Sequence, residues 1–133
     1  MWMLDTDTCS YILRAHPPGA AARFKRTPVA EIGISAVVLA ELYYGADRLS
    51  QRSALRKDIQ EFSSGLLLLS WDAEAADHYG DIRTQLEHKG TPIGAMDMMI
   101  AAHARSRNAV LVTNNLKHFR RVPRLRVENW TFA

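Results

Sequence analysis

Four short apolar runs separated by helix-length sequence restrict this chain more than any other feature does. Met1 to Leu4 stops at Asp5, Ile32-Gly33-Ile34 stops at Ser35, Leu66 to Leu69 forms a third run, and Ala109 to Val112 leads into Thr113. A further short strand is expected near Arg126-Val127. Between the runs, a helix is expected through Tyr11 to Leu13, another over Ala20 to Arg26, and a third over Ala36 to Ala46. This third segment, AVVLAELYYGA, is apolar on every face except at Glu41, which predicts a central, buried helix. Leu55, Ile59 and Phe62 recur at helical spacing before Gly65, and Ala75, Tyr79, Ile82 and Leu86 form the inner stripe of a helix running from Asp72 to Lys89-Gly90. Ala95 to Ala104 is again nearly all apolar. Strands alternating with helices predict an α/β fold with a central, mostly parallel sheet of four to five strands and helices on both sides.

The chain has 133 residues, 47% apolar and 23% charged, and contains no low-complexity tract or linker, so one domain over residues 1–133 is expected. A core of this size buries roughly two-thirds of the unfolded chain's surface and requires no covalent staple. The single cysteine, Cys9, reads as a small buried apolar residue. Ile32 to Ala40, the longest uncharged apolar stretch, is too short to span a bilayer, and no basic leader precedes Leu4, so a cytoplasmic protein without membrane contact is expected.

Three carboxylates stand in settings where an isolated charge costs several kcal/mol. Asp5 closes the first apolar run, Glu41 interrupts the apolar third helix, and Asp97 sits within Gly-Ala-Met-Asp-Met-Met-Ile-Ala-Ala. Taken singly, Asp5 is equally a helix N-cap, Glu41 a partner of Arg48, and Asp97 an ordinary first-turn acid; for Asp7 the cap is favoured. Taken together they indicate one pocket outside the carboxyl ends of the strands, where Thr113 to Asn115 also emerge. No Lys or Arg lies in these segments to neutralise the acids. A hard divalent ion, Mg2+ or Mn2+, suits carboxylates with an Asn amide, and such chemistry serves phosphodiester hydrolysis.

His16, His78, His88, His103 and His118 show no i, i+4 pair, so no zinc site is expected; His78, His88 and His118 read as surface residues. Met96, Met98 and Met99 read as core filler.

Five segments in order carry a likeness. Met3-Leu4-Asp5-Thr6-Asp7, Ser35 to Gly45 (SAVVLAELYYG), Gly80-Asp81-Ile82-Arg83, Pro92 to Asp97 and Leu111-Val112-Thr113-Asn114-Asn115 together resemble VapC-type toxins of the PIN-domain ribonucleases, found in bacterial toxin–antitoxin pairs. The resemblance covers nearly the whole chain. It implies a metal-dependent endoribonuclease in which Asp5 and Asp97 ligate Mg2+ or Mn2+ directly and Glu41 holds water or acts as base. By the same likeness, Thr113 orients the pocket and the products carry a 5′-phosphate and a 3′-hydroxyl. Asn115 stands where many PIN proteins carry a fourth acid, and Asp7 replaces an asparagine common two residues after the first acid. The likeness further implies structured RNA as substrate, with initiator tRNA cut in its anticodon loop by enterobacterial relatives. It implies a homodimer, a VapB-type antitoxin that covers the active site, and operator DNA bound only through that antitoxin.

Two other readings remain at this point. Asp5-Thr6-Asp7-Thr8 resembles the start of haloacid-dehalogenase-like phosphatases, with Asp5 as nucleophile, although Cys9 and the lack of a nearby Lys depart from that pattern. A PIN-like module that binds RNA or a partner protein without cutting is the other. Residues 1–97 carry ten Lys and Arg against thirteen Asp and Glu, whereas residues 98–133 carry seven against one. That division predicts a basic rim holding RNA phosphates beside the acidic pocket, with Lys117, Arg120, Arg121 and Arg124 as its candidates.

Overall fold

The computed structural model describes residues 1–132. Its strands are β1 (Trp2–Leu4), β2 (Ile32–Ser35), β3 (Leu67–Leu69), β4 (Val110–Val112) and β5 (Arg126–Glu128). The α-helices are α1 (Thr6–Arg14), α2 (Pro18–Arg26), α3 (Ala36–Asp47), α4 (Arg52–Ser64), α5 (Ala73–His88), α6 (Ala95–Ser106) and α7 (Leu116–Phe119). All strand pairings are parallel, in the order β3-β2-β1-β4-β5. Side chains alternate faces along a strand, and all four residues of β2 and both Met3 and Leu4 of β1 are buried. Both faces of the sheet are therefore covered, as parallel sheets require.

Local chemistry sets the element boundaries. The Asp5, Ser35 and Asp72 side chains accept backbone N–H bonds from Thr8, Val37 and Ala75 and so start α1, α3 and α5. Gly90, just past α5, adopts φ of 67° in the left-handed region that only glycine enters without strain. The cap of α1 is thus Asp5; Asp7, expected to serve as a cap, sits exposed in the first turn.

Three burial expectations need correction. The third apolar run is an edge strand with a single neighbour, leaving Leu67 and Leu68 exposed where a buried strand was expected. In α3, Val37, Val38, Leu42 and Ala46 are buried, but Tyr44 is 67% exposed, because the helix packs on one side and leaves the other open. Met98 is core, whereas Met96 is exposed in the first turn of α6.

The far end of the chain is locked onto the sheet. The Arg23 guanidinium lies 5.2 Å from the Trp2 ring centroid and 5.0 Å from that of buried Trp130, and its Nη1 pairs with Glu128 Oε1 at 2.9 Å. Gly19 of α2 lies so close to this strap that a Cβ there would stand 2.3 Å from the Thr131 carbonyl oxygen. Gly19→Ala is therefore expected to destabilise the fold by about 1–3 kcal/mol through overpacking. Urea unfolding measures this, and an unchanged midpoint would contradict the contact.

Candidate active site

The chain runs from β1 outward through β2 and β3, then returns to the other side of β1 as β4 and β5. Strand order thus reverses between β1 and β4, and the crevice at their carboxyl ends is where open α/β sheets bind ligands. Asp5 and Thr113 are the residues that leave the two strands there. The Asp5 N–H donates to the Val112 carbonyl at 3.0 Å, and the Thr113 N–H donates to the Glu128 carbonyl at 2.9 Å, so β1, β4 and β5 are tied together at this edge.

Asp5 is 5% exposed. Its Oδ1 accepts the Thr8 N–H at 2.9 Å, and the fully buried Thr113 hydroxyl hydrogen-bonds to it. Thr113 Oγ1 in turn accepts the Asn115 N–H at 2.9 Å. Burial pushes the Asp5 pKa up to about 6; the bonds from Thr113 and Thr8 oppose the rise, and the charge of Asp7 adds to it.

Glu41 projects from α3 to α1, where its Oε1 accepts the Thr6 hydroxyl at 2.5 Å. Asp97, in the first turn of α6, is half-buried. Burial raises its pKa first, the negative charges of Glu41 and Asp7 add to the rise, and His118 opposes it. Asp5, Asp7, Glu41 and Asp97 consequently share one electrostatic neighbourhood. The two helices bearing Glu41 and Asp97 are joined by a buried bond of 2.8 Å between Ser35 Oγ, at the N-cap of α3, and His103 Nδ1 on α6. None of the five ion pairs among the described residues involves Asp5, Glu41 or Asp97.

Several residues behave differently from the reading of the sequence. Glu41 bonds to Thr6 and not to Arg48, whose guanidinium lies 5.3 Å from the Tyr44 ring centroid. Thr6 had no assigned role; its place directly after Asp5, opposite an acid on an apolar helix, was the available signal. His118 is no ordinary surface histidine, since it is half-buried, bears electrostatically on Asp97, and has an Nδ1 that finds no partner among the described residues. His78 accepts the Arg105 Nε–H at 2.8 Å. Asn115 is half-buried at the N-cap of α7, without a capping side-chain bond.

The basic segment divides in two. Lys117 and Arg120 are exposed on and just after α7, and Arg121 Nη1 donates to the Pro92 carbonyl at 3.1 Å, three residues before α6. Arg124 instead faces Asp81 at 3.3 Å, and the same carboxylate holds the buried Arg105 at 2.6 Å. Arg126 pairs with Val110 at the amino-terminal end of the strands and donates to the Asn108 carbonyl, at the opposite edge from the acids. Thr6, Asp7 and Glu41 also line one end of an open cleft of about 520 Å3 between α1, α3 and α4, with Leu42, Leu55 and Ile59 among its apolar lining.

Hard oxygen donors without a cation suit a divalent ion. Among the described residues no three His, Cys, Asp or Glu side chains form a ready-made cage. A small hard ion that keeps several waters needs only one or two carboxylates from the protein.

Residues 2–125 match the PIN domain, and the chain belongs to that family, whose nucleases are in general metal-dependent. Within it, the relatives are VapC ribonucleases. The tRNA(fMet)-specific endonuclease VapC of Salmonella typhimurium is 42% identical over 129 residues, covering 97% of both chains. Ribonuclease VapC2 of Rickettsia felis is 40% identical over 131 residues, covering 98% of both. The crystal structure of DNA-bound VapBC from Salmonella typhimurium matches with a TM-score of 0.91 at 42% identity over 97% of each chain. VapBC2 from Rickettsia felis, bound to a promoter DNA fragment, matches with a TM-score of 0.90 at 39% identity over 97% of this chain and 98% of that one. These matches leave the dehalogenase-like phosphatase reading without support. No helix among the described residues is long and apolar enough to cross a membrane.

Because the folded protein holds the Asp5 proton more tightly than the unfolded chain does, ionising Asp5 opposes folding. The associated stability is present below pH about 4 and is lost as pH rises through 6. Asp5→Asn keeps the cap and removes the charge. In metal-free protein it is expected to stabilise by about 1–3 kcal/mol at pH 7.5 and by almost nothing at pH 4, read from urea unfolding at the two pH values. Equal effects at both would contradict the assigned burial cost.

Proposed function

We propose that this chain is the ribonuclease of a VapBC-type toxin–antitoxin pair, hydrolysing phosphodiester bonds of structured RNA with Mg2+ or Mn2+ held by Asp5 and Asp97 and assisted by Glu41. The observation that supports this reading is that Asp5 leaves β1 at the crevice where strand order reverses, that Asp7 raises its pKa as Glu41 and Asp7 raise that of Asp97, and that none of Asp5, Glu41 and Asp97 is ion-paired among the described residues. Asp5 and Asp97 would hold the ion, which would supply polarisation of a phosphoryl oxygen and stabilisation of the leaving oxygen.

The chain's own groups do the rest. Thr8 and Thr113 hold the Asp5 carboxylate at the carboxyl end of β1. The Thr6 hydroxyl occupies Glu41 Oε1 and leaves Oε2 to accept a proton from the attacking water. Attack at phosphorus in line with the 3′-oxygen breaks the P–O3′ bond, giving a 5′-phosphate and a 3′-hydroxyl. Asn115 supplies a neutral amide beside Thr113 and adds no charge to the centre.

Lys117, Arg120 and Arg121 form the nearer part of the basic rim, and Arg124, held by Asp81, its outer part. The substrate extends by likeness to initiator tRNA, cut in the anticodon loop, since the Salmonella relative is named for tRNA(fMet). The same likeness supports a cytoplasmic homodimer silenced by a VapB-type antitoxin, through which operator DNA is bound. The apolar cleft beside Glu41 suits a segment of that antitoxin.

Purified protein freed of antitoxin is expected to cut RNA only with Mg2+ or Mn2+ present. Asp5→Ala and Asp97→Ala should each lower the rate at least about 100-fold while remaining folded by circular dichroism. Cleavage that survives both substitutions would refute the site, and folded wild type that cuts no cellular RNA would favour a binding module. Replacing Lys117, Arg120 and Arg121 together by Ala should reduce the salt dependence of RNA binding by a log–log slope of about 2, as for three single-strand phosphate contacts. An unchanged slope would mean that these charges are merely solvated.

A further inference from the structure

Two asparagines extend neighbouring strands beyond their carboxyl ends, at the edge that bears Asp5. Asn114 follows Thr113 after β4, and Asn129 follows Glu128 at the end of β5. Their side chains are oriented by each other. Asn129 Nδ2 donates to Asn114 Oδ1 at 3.1 Å, and Asn114 Nδ2 donates to the Tyr11 hydroxyl oxygen at 3.4 Å. Asn129 Oδ1 accepts both the N–H of Thr131, at 2.8 Å, and its hydroxyl, at 2.6 Å. The same hydroxyl also lies 3.3 Å from Asn114 Oδ1.

A count of bonds shows what remains to offer. An amide nitrogen carries two hydrogens and its oxygen two lone pairs. The Asn129 oxygen is filled, and the Asn114 oxygen holds one full bond and a share of another. Among the described residues, one N–H of Asn114, one N–H of Asn129 and the Tyr11 O–H are unspent. The cluster thus presents three uncharged donors and almost no acceptor. Flat surface adjoins it: the Arg14 guanidinium lies 5.6 Å from the Tyr11 ring centroid, and Phe132, next to Thr131, is 78% exposed.

Resting on the ribonuclease reading, we propose that Asn114, Asn129 and Tyr11 form a base-reading subsite that takes a guanine of single-stranded RNA next to the phosphate at Asp5. Guanine presents two adjacent acceptors, O6 and N7, to such donors, whereas adenine pairs N7 with a donor amino group that would oppose them. Unstacked bases are read in this way on single strands and loops, with aromatic and guanidinium faces as platforms. Phosphate is the other acceptor that Asn and Tyr side chains meet, and such a contact carries no base preference, so comparing bases separates the two.

The test uses the full chain carrying Asp97→Asn, so that binding is read without cleavage. Fluorescence anisotropy compares eight-nucleotide uridine RNAs with a single central guanine, adenine, cytosine or 7-deazaguanine, the last lacking only N7. The guanine oligonucleotide is expected to bind about five- to tenfold tighter than the adenine and 7-deazaguanine ones, and Asn129→Ala or Asn114→Ala added to this background should erase the difference. Equal affinity for all four RNAs, the signature of phosphate contact, would overturn the subsite. So would a guanine preference that persists in both asparagine variants. The 7-deazaguanine comparison alters no protein residue, so it decides even if a variant fails to fold. Incubating wild type and Mg2+ with structured cellular RNA separates the two readings: no cleavage there, with the octamer preference intact, counts against the ribonuclease and leaves the subsite standing, whereas cleavage there without any preference among the octamers counts against the subsite alone.

Discussion

A carboxylate buried where a parallel sheet reverses its strand order, with no cation to answer it, is the feature on which the rest of this molecule depends. Asp5 is at once the last residue drawn into the sheet, the cap of α1 and the most enclosed acid of the centre. Its N–H fixes β1 to β4 and its side chain starts α1, so the backbone cannot form without placing the charge there. Thr8 and Thr113 supply hydrogen bonds but not enough to undo the cost of burial, and the pKa near 6 records the remainder. Asp7 adds to that cost at Asp5, and Glu41 and Asp7 add to it at Asp97, so the neighbouring acids do not relieve the burial. A site that disfavours its own charge in the free protein is poised to take up a cation, and binding an ion returns the folding energy that Asp5 gives up.

The other helices serve that arrangement. Thr6 and Ser35 are small hydroxyl residues, yet each spans two elements: Thr6 ties α1 to Glu41 on α3, and Ser35 ties the start of α3 to His103 on α6. Burial lowers the pKa of His103, so this link is made by a neutral imidazole and adds no charge near the acids. On the opposite side of the core, Arg23 between two tryptophan rings and the close approach of Gly19 to Thr131 hold the strand that carries Asn129. The edge beside Asp5 is therefore flanked by tied segments on both sides.

Much of this was legible in the residues. Apolar runs ended by Asp5, Ser35 and Thr113 marked the strands and their common edge, and acids inside apolar helices marked the centre, because solvation alone makes such placements costly. What escaped was whatever depends on position in the sheet. Leu67 and Leu68 have the composition of a buried strand but lie at an edge, a matter of strand order that local pattern does not encode. AVVLAELYYGA looks buried all round because periodicity carries no information about how many sides have neighbours. The net charge of residues 98–133 likewise hid the fact that Arg105 is buried on Asp81 and Arg126 points to the far edge, so that only part of the excess borders the acids. His118 escaped because its importance comes from a contact with Asp97, distant in sequence.

The central proposal, that Asp5 and Asp97 hold a divalent ion in the crevice, is tested most directly by titrating the protein with Mn2+ and counting free ion by electron paramagnetic resonance at pH 7.5 and pH 5. Wild type is expected to bind Mn2+ at pH 7.5 and to weaken at least about tenfold at pH 5, where Asp5 takes up a proton, while Asp5→Asn and Asp97→Asn bind weakly at both. Binding that is independent of pH, or undiminished in either variant, would contradict it.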